Sequence, residues 1–294
     1  MNTILKPIPG SELIINDDGS VFHLHIRPED LADDVILMGD PDRVSAVGAL
    51  FDTVEVDKRS REFHTITGTY HGHRFTALSH GIGTDNIDIV MTELDALANI
   101  DFQTRLPKTE HRRLTLLRIG TCGAAQPDIP LGSYILSHIS IGFDGVLNWY
   151  ADGERIFLHD FEEAFVRHMD WPARLGRPYF VRAAESLISK FSGWTVKGMT
   201  VSAPGFYGPQ GRSVRLRLTI PDLVEKLESF GFEGYRVTNI EMESSALAGM
   251  AALLGHDAAT LCLAIANRHL KESNPDYKPL MAQLLQRVLN TLSA

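Results

Sequence analysis

Residues 114–126 read LTLLRIGTCGAAQ. The first seven, LTLLRIG, are apolar apart from Thr115 and Arg118, and have the length and content of a buried strand. TCGAAQ (121–126) then supplies small and polar residues that end it. The same arrangement recurs. DVILM (34–38) is a buried strand that ends in the turn GDPDR (39–43), with a short helix after it. YILSHISIG (134–142), TVKGMTVSA (195–203), VTNIEME (237–243) and AATLCLAIANR (258–268) are further strands. REFHTITGTYHGHRFTALSH (61–80) alternates about His71–Gly72 as a hairpin and runs into the turn GIGTDN (81–86).

Helical spacing occupies the intervals. IDIVMTELDALANI (87–100) repeats apolar residues at Ile89, Val90, Leu94 and Leu97. FEEAFVRHM (161–169), AAESLISKF (183–191), PDLVEKLESFGF (221–232), SSALAGMAALLG (244–255) and KPLMAQLLQRVLNTL (278–292) are helices, and 101–113 is a polar connecting loop. Strands alternating with helices give an α/β fold: a single domain over 1–294, with 1–20 as an N-terminal extension, built on a mixed, mostly parallel, distorted sheet flanked by helices. GDPDR, HGIGTDN, RIGTCG, APGFYGPQGR, EMES and ANR all fall at strand C-terminal ends. That edge is where open α/β sheets bind ligands, so the six motifs should converge on one site.

Composition narrows the function. The 294 residues are 44% hydrophobic and 22% charged with a net charge of −9, ordinary for a globular protein and unfavourable for a nucleic-acid partner. Two cysteines, Cys122 and Cys262, make no disulfide framework. The N-terminus lacks a basic start with a long apolar core, and no run approaches the roughly 20 apolar residues of a membrane helix. A soluble cytoplasmic protein with no membrane partner is expected. Gly81-Ile82-Gly83 begins like a dinucleotide fingerprint, but Asn86 stands where the third glycine belongs and a hairpin precedes it. The 12 histidines include no metal-protease spacing, and no G-x-S-x-G elbow occurs.

Arg43, Arg61 and Arg118 each adjoin a glycine turn or strand end. A single arginine is usually a solvated surface fork. Arg118 differs because it lies inside an apolar strand, where a guanidinium needs an anionic partner. Gly120, Thr121 and Gly123 offer backbone N–H groups and a hydroxyl nearby, a set suited to an oxyanion such as phosphate. Glu241-Met242-Glu243 stands at a strand-to-helix junction. Its acids are either helix N-terminal complements or acceptors for the vicinal hydroxyls of a sugar. Asn267-Arg268 is either a strand-end cap or a supporting arginine. GFYGPQGR (205–212) is a loop by its glycines and proline, yet it carries Phe206, Tyr207, Gln210 and Arg212.

With FHL (22–24), GDPDR (39–43), REF (61–63), GIG (81–83), RIGTCG (118–123), GFYGPQGR (205–212), EMES (241–244) and NR (267–268), the chain resembles the nucleoside phosphorylases of the uridine phosphorylase type over residues 22–268. GDPDR and RIGT mark the broad family, and FY-x-x-Q-x-R the uridine branch. The resemblance implies a pentosyltransferase that cleaves a ribonucleoside with inorganic phosphate as co-substrate and no cofactor. It places phosphate on Gly39, Arg43, Arg118 and Thr121, with Arg61 from a neighbouring subunit. Ribose falls to Met242, Glu243 and a neighbour's His23, and the base to Phe206, Gln210, Arg212 and Arg268. It also implies a homodimer as minimal unit, extending to a hexamer as a trimer of dimers.

Chemistry agrees with that assignment. Uracil lacks a nitrogen like purine N7 and must leave as an anion or enolate, so a fixed arginine on its carbonyl edge is the natural stabiliser. Some relatives hold potassium between subunits, here matched by Glu62, Ile82 and Asn86, with Asp85 as an added acid. Cys122 stands where a small hydroxylated residue is usual, Ile240 where an aromatic is common, and GTDN replaces a turn bearing glycine, proline and serine. Alternatives are a nucleoside hydrolase or purine nucleoside phosphorylase on the same fold, and a non-catalytic nucleoside-binding protein.

Overall fold

The computed structural model describes residues 6–294. Strand β1 (Asp34–Met38) leads into α1 (Pro41–Gly48). Three antiparallel strands follow: β2 (Thr53–Ser60), β3 (Phe63–Tyr70) and β4 (His73–Ser79). The expected hairpin is β3–β4. Strand β2, which the sequence reading passed over, is a sheet edge whose side chains are mostly exposed, so its apolar alternation is limited to Val54 and Val56. Helix α2 (Thr84–Asn99) begins three residues earlier than its apolar spacing suggested, and β5 (Ile100–Asp101) pairs with β6 (Leu106–Pro107).

This small hairpin gives the 101–113 segment a role. Arg105 donates Nε–H to the Ile8 carbonyl at 2.6 Å and an Nη2–H to the Pro9 carbonyl at 3.1 Å. Leu13 packs with Ala96 and Ile100. The segment thus ties residues 8–13 to α2. Residues 1–5 of the expected extension lie outside the described residues.

The central strands are β7 (Thr115–Ala124), β8 (Tyr134–Gly142), β10 (Val196–Ser202), β12 (Tyr235–Glu241) and β13 (Asp257–Asn267), with short β9 (Tyr179–Arg182), β11 (Gly231–Phe232) and β14 (Glu272–Ser273) at the margins. Pairing is parallel for β1 with β4 and β7, for β7 with β13, and for β10 with β8 and β12. It is antiparallel for β13 with β8. The mixed sheet then curls on itself: β12 returns to β7, with Asn239 opposite Ala124 and Ile240 opposite Gly123. β7 itself runs on through TCGA, which the sequence suggested was already a turn, because β13 pairs with all four of these residues and β12 with Gly123 and Ala124. Thr121 and Cys122 are paired with Leu263 and Ala264 of β13.

Helices cover the sheet in three groups. Helix α2 packs with α6 (Ser244–Leu254) through Leu94, Leu97, Leu247 and Met250. Helices α1, α4 (Glu185–Phe191) and α7 (Lys278–Leu292) share a second core through Val44, Val47, Phe191 and Leu289. Helices α3 (His159–Met169) and α5 (Leu223–Ser229) close a third around Phe165 and Leu227. Helix α6 is buried from Ser244 to Ala251, as an apolar helix lacking a polar face must be. None of the described helices is long and apolar enough to cross a membrane.

Gly249 shows how closely α6 is packed. A Cβ there would lie 2.1 Å from Cδ1 of the fully buried Leu147. In an open helix Gly→Ala gains about 1 kcal/mol of propensity, but overpacking costs about 1–3 kcal/mol. Gly249→Ala should therefore destabilise the protein, by up to roughly 2 kcal/mol net in urea unfolding. A stabilised variant would show that this contact relaxes freely.

Candidate active site

Arg118 sits in the middle of β7, flanked by Leu37 of β1 and Thr260 of β13, and is only 4% exposed. The anions its burial requires come from its own chain. Nη1 meets Glu241 Oε2 at 2.8 Å, and Nη2 donates to Glu243 Oε2. Nε–H donates to His80 Nε2 at 3.1 Å, and a weaker contact joins Nη1 to Cys262 Sγ at 3.8 Å. Despite burial, the two carboxylates push the guanidinium pKa upward. Gly120 makes room for it, since a Cβ at that position would lie 2.7 Å from Arg118 Nη1.

The two acids divide their tasks. Glu241 accepts from the backbone N–H groups of Glu243 and Ser244, each at 3.0 Å. It also accepts from the hydroxyls of Ser202 and Ser244 at 2.7 and 2.8 Å. Glu241 thus serves the start of α6, where first-turn N–H groups lack helical partners. Glu243 occupies the N-cap position without a side-chain capping bond, so helix capping does not account for its carboxylate. Its Oε1 instead accepts the Gly83 N–H at 2.7 Å. Burial, and secondarily the charge of Glu241 against the opposing pull of Arg118, raise the Glu243 carboxyl pKa.

The phosphate-type motifs meet here. His80 follows β4, and its N–H donates to the Met38 carbonyl at 2.8 Å. Gly39 faces it: a Cβ on Gly39 would lie 3.0 Å from the Gly81 carbonyl oxygen and 3.8 Å from His80 Cε1. Asp40 caps α1 by accepting the Asp42 N–H, and its other oxygen lies 3.8 Å from Arg43 Nε. Thr121 is half-buried three residues beyond Arg118 on the same strand.

The loop after β10 forms the other end. Arg212 Nη1 donates to Gln210 Oε1 at 2.5 Å and to the Phe206 carbonyl at 2.6 Å, with its guanidinium 3.9 Å from the centre of the Phe206 ring. Gln210 is buried, while Phe206 is half exposed. Arg268 Nη2 donates to the Gln210 carbonyl at 3.1 Å, and its aliphatic stem fills the space over Gly123, where a Cβ would meet it at 2.9 Å. No carboxylate pairs with Arg212 or Arg268 among the described residues. Burial, then the nearby Arg268 charge, lower the Arg212 pKa to about 10. Asn267 holds the adjoining turn, donating to the Gln126 and Ile129 carbonyls.

His23 and Arg61 form a separate patch. The Arg61 guanidinium lies 5.5 Å from the Phe22 ring centre, and the His23 ring adjoins Phe22 and Phe63. Glu93 takes His23 Nδ1 at 2.6 Å, leaving Nε2 to other partners. Neither residue hydrogen-bonds to Arg118, Glu243 or the 205–212 loop among the described residues. Glu62, Ile82 and Asn86 gather around Gly81: a Cβ there would lie 2.5 Å from Asn86 Nδ2 and 3.1 Å from Glu62 Cγ, and its φ of 73° favours glycine.

A second polar cluster lies elsewhere. Asp95, His111 and His256 bring potential metal-ligand atoms within 4.8 Å of one another. However, His256 Nδ1 accepts the Leu114 N–H at 3.2 Å, so the neutral ring carries its proton on Nε2, which faces Asp95 Oδ1 at 3.2 Å. This is a histidine–aspartate pair, and the nitrogen a metal would need is already protonated.

The chain matches the sequence profile of the phosphorylase superfamily over residues 33–293. It belongs to that family. The uridine phosphorylase of Thermococcus kodakarensis is 30% identical over 256 residues, 87% of this chain and 80% of that protein. The uridine phosphorylase of Escherichia coli is 31% identical over 86% of this chain and 88% of its own. A DeoD-type purine nucleoside phosphorylase of Vibrio vulnificus is 28% identical over 82% of each. The crystal structure of a Trypanosoma brucei nucleoside phosphorylase, described as showing uridine phosphorylase activity, superposes with a TM-score of 0.87 at 29% identity, covering 96% of this chain and 100% of that one. The two uridine phosphorylases and the Trypanosoma brucei structure agree with the uridine-type resemblance and with the mixed α/β fold expected for it. Members of this phosphorylase family are pentosyltransferases that act on small molecules with phosphate as co-substrate.

Burial within this phosphorylase site sets a pH dependence. Desolvation first, and the Arg118 and Arg43 charges after it, lower the His80 pKa well below its usual 6.5, against a smaller opposing effect of the Gly81 backbone. Above about pH 6.5 His80 is neutral whether the chain is folded or not. Below it the unfolded chain takes up a proton that the folded chain refuses, so stability falls as pH falls. As pH falls through about 6.5, wild type should therefore lose stability relative to His80→Gln. Urea unfolding between about pH 7.5 and about pH 5 measures it, and a constant difference would show that His80 has the same pKa in the folded and unfolded chain.

Proposed function

We propose that the protein catalyses the reversible phosphorolysis of uridine or a related pyrimidine nucleoside to free base and ribose 1-phosphate. The observation that carries the reading is the linked group Phe206, Gln210 and Arg212, in which a part-buried guanidinium lacks a carboxylate partner. Arg212 therefore offers an uncompensated positive charge to a base that leaves as an anion. Gln210 Oε1 already accepts from Arg212, which leaves its amide hydrogens directed to a uracil carbonyl. Phe206 stacks the ring, and Arg268 braces the Gln210 backbone.

The sugar lies between Met242 and Glu243, whose carboxylate accepts from the ribose hydroxyls. Phosphate binds on Gly39, Arg43, Arg118 and Thr121. Because Arg118 is already matched by two acids, net positive charge for the phosphate dianion must come from Arg43 and the partner's Arg61. The shared patch of His23 and Arg61 supports a homodimer, since one surface then delivers both residues to a neighbouring site, at its ribose 5′-hydroxyl and its phosphate. A trimer of dimers extends the same assembly. Glu62, Ile82 and Asn86 meet around one turn, where Asn86 Nδ2–H donates to the Ile82 carbonyl at 3.4 Å; with the Asn86 amide turned over, their oxygens form a donor set suited to a monovalent cation, whose part would be to hold the subunits together. The cytoplasm is the proposed location.

Base release from uridine should depend on phosphate, measured by chromatography with and without it. Arg212→Ala should lower turnover by roughly 10²–10³-fold, the usual cost of one lost donor to a developing anion. Equal release without phosphate would mean hydrolysis, and a variant within about threefold of wild type would remove Arg212 from the chemistry.

The shared site has its own test. Arg61→Ala and Arg212→Ala proteins, dissociated mildly and mixed, should recover roughly a quarter of wild-type activity, because about half the dimers are mixed and each has one intact site. If differently tagged subunits are seen by mass spectrometry to have exchanged without any gain, Arg61 acts within its own chain.

A further inference from the structure

We propose that His80 is a positioning residue for the phosphate end of this site: a neutral imidazole whose Nε2 lone pair fixes the orientation of the Arg118 guanidinium. The inference rests on the phosphorolysis reading, because it takes Arg118 to face the incoming phosphate.

The protonation state follows from the contact itself. An arginine Nε always carries hydrogen and can only donate. His80 Nε2, 3.1 Å away, must therefore be the acceptor, and the ring proton lies on Nδ1. That nitrogen is buried without an aligned hydrogen-bond partner. The imidazole thus leaves one polar group unsatisfied while supplying an acceptor to Arg118.

An uncharged acceptor suits this position. Glu241 and Glu243 hold Nη1 and Nη2, and a contact at Nε adds the third point that defines the plane of the guanidinium. A third carboxylate would add another negative charge beside a phosphate dianion. A serine or threonine hydroxyl would be free to rotate. Imidazole in the Nδ1–H form is rigid and uncharged. With Nε and Nη1 engaged and Glu243 on one Nη2–H, the remaining Nη2–H of Arg118 has no hydrogen-bond partner among the described residues and is the donor left for an incoming oxygen. His80 also lies beneath the Gly39 turn, so one ring supports two of the proposed phosphate contacts.

Inorganic phosphate is the probe, titrated calorimetrically into wild type, His80→Gln, His80→Asn and His80→Phe, with KM values for phosphate and uridine measured in parallel. The glutamine amide oxygen reaches the place of Nε2, whereas asparagine falls short and phenylalanine has no acceptor. His80→Asn and His80→Phe should weaken phosphate binding by about tenfold or more, the effect of one hydrogen bond to a charged group. His80→Gln should stay within about threefold of wild type by the same estimate. The KM for uridine and the kcat at saturating phosphate should change little. If His80→Phe does not fold, the contrast between glutamine and asparagine decides. Equal phosphate affinity in all variants, or parallel losses for phosphate and uridine, would overturn the positioning role. Wild type that neither binds phosphate nor depends on it would overturn the phosphorolysis reading instead.

Discussion

A guanidinium buried in the middle of a sheet strand is the constraint around which this protein is arranged. Arg118 cannot be left unpaired there, because an uncompensated buried charge costs more than a fold of ordinary stability can bear. Its partners come from β12 and the start of α6, and from the end of β4, so these elements must all reach β7. The return of β12 onto β7 brings Glu241 and Glu243 into place, and Gly120 leaves space for the group they hold. Sheet curvature, helix placement and the ion cluster are thus parts of one solution.

The cluster also makes the site electrically uneven. Around Arg118, where the ribose is proposed to lie, two acids share one arginine. At the proposed base end, Arg212 and Arg268 have no carboxylate partner among the described residues. A neutral nucleoside bound across this gradient would have the sugar beside negative charge and the base beside positive charge. That is the direction in which electrons move when the glycosidic bond breaks, with positive charge growing on the sugar and negative charge on the base. The field is built in before the substrate arrives, so it requires little rearrangement during the reaction.

Much of this was legible in the residues. Apolar runs gave most strands, and helix α7 occupies the same residues, 278–292, that its spacing indicated. The motifs at strand ends do come together, with Gly39, His80, Arg118 and Glu243 in one cluster and Gly123, Gln210, Arg212 and Arg268 in the other. What escaped depended on pairing across long separations. TCGA looked like a turn because small residues end strands, and only its pairing with the distant β13 along all four residues, and with β12 at Gly123 and Ala124, makes it a strand. The edge strand β2 limits its apolar alternation to Val54 and Val56 because most of its side chains face solvent. The partners of Arg118 could not be chosen from sequence: an arginine in an apolar run says that an anion is near, without saying that it lies more than a hundred residues away. His80 was visible within HGIGTDN, but its value as an acceptor depends on which atom faces it.

The stacking of Arg212 on Phe206 has a further consequence. If Phe206 takes the base as proposed, the guanidinium lying over its ring, 3.9 Å from the centre, competes with a flat pyrimidine for that surface. An arriving base would then exchange one stacked partner for another, and its affinity would be reduced by the contact it replaces. As negative charge gathers on the base, the displaced guanidinium gains an attraction that it never had to the aromatic ring. An enzyme arranged this way holds its substrate loosely and tightens its grip only as the bond gives way.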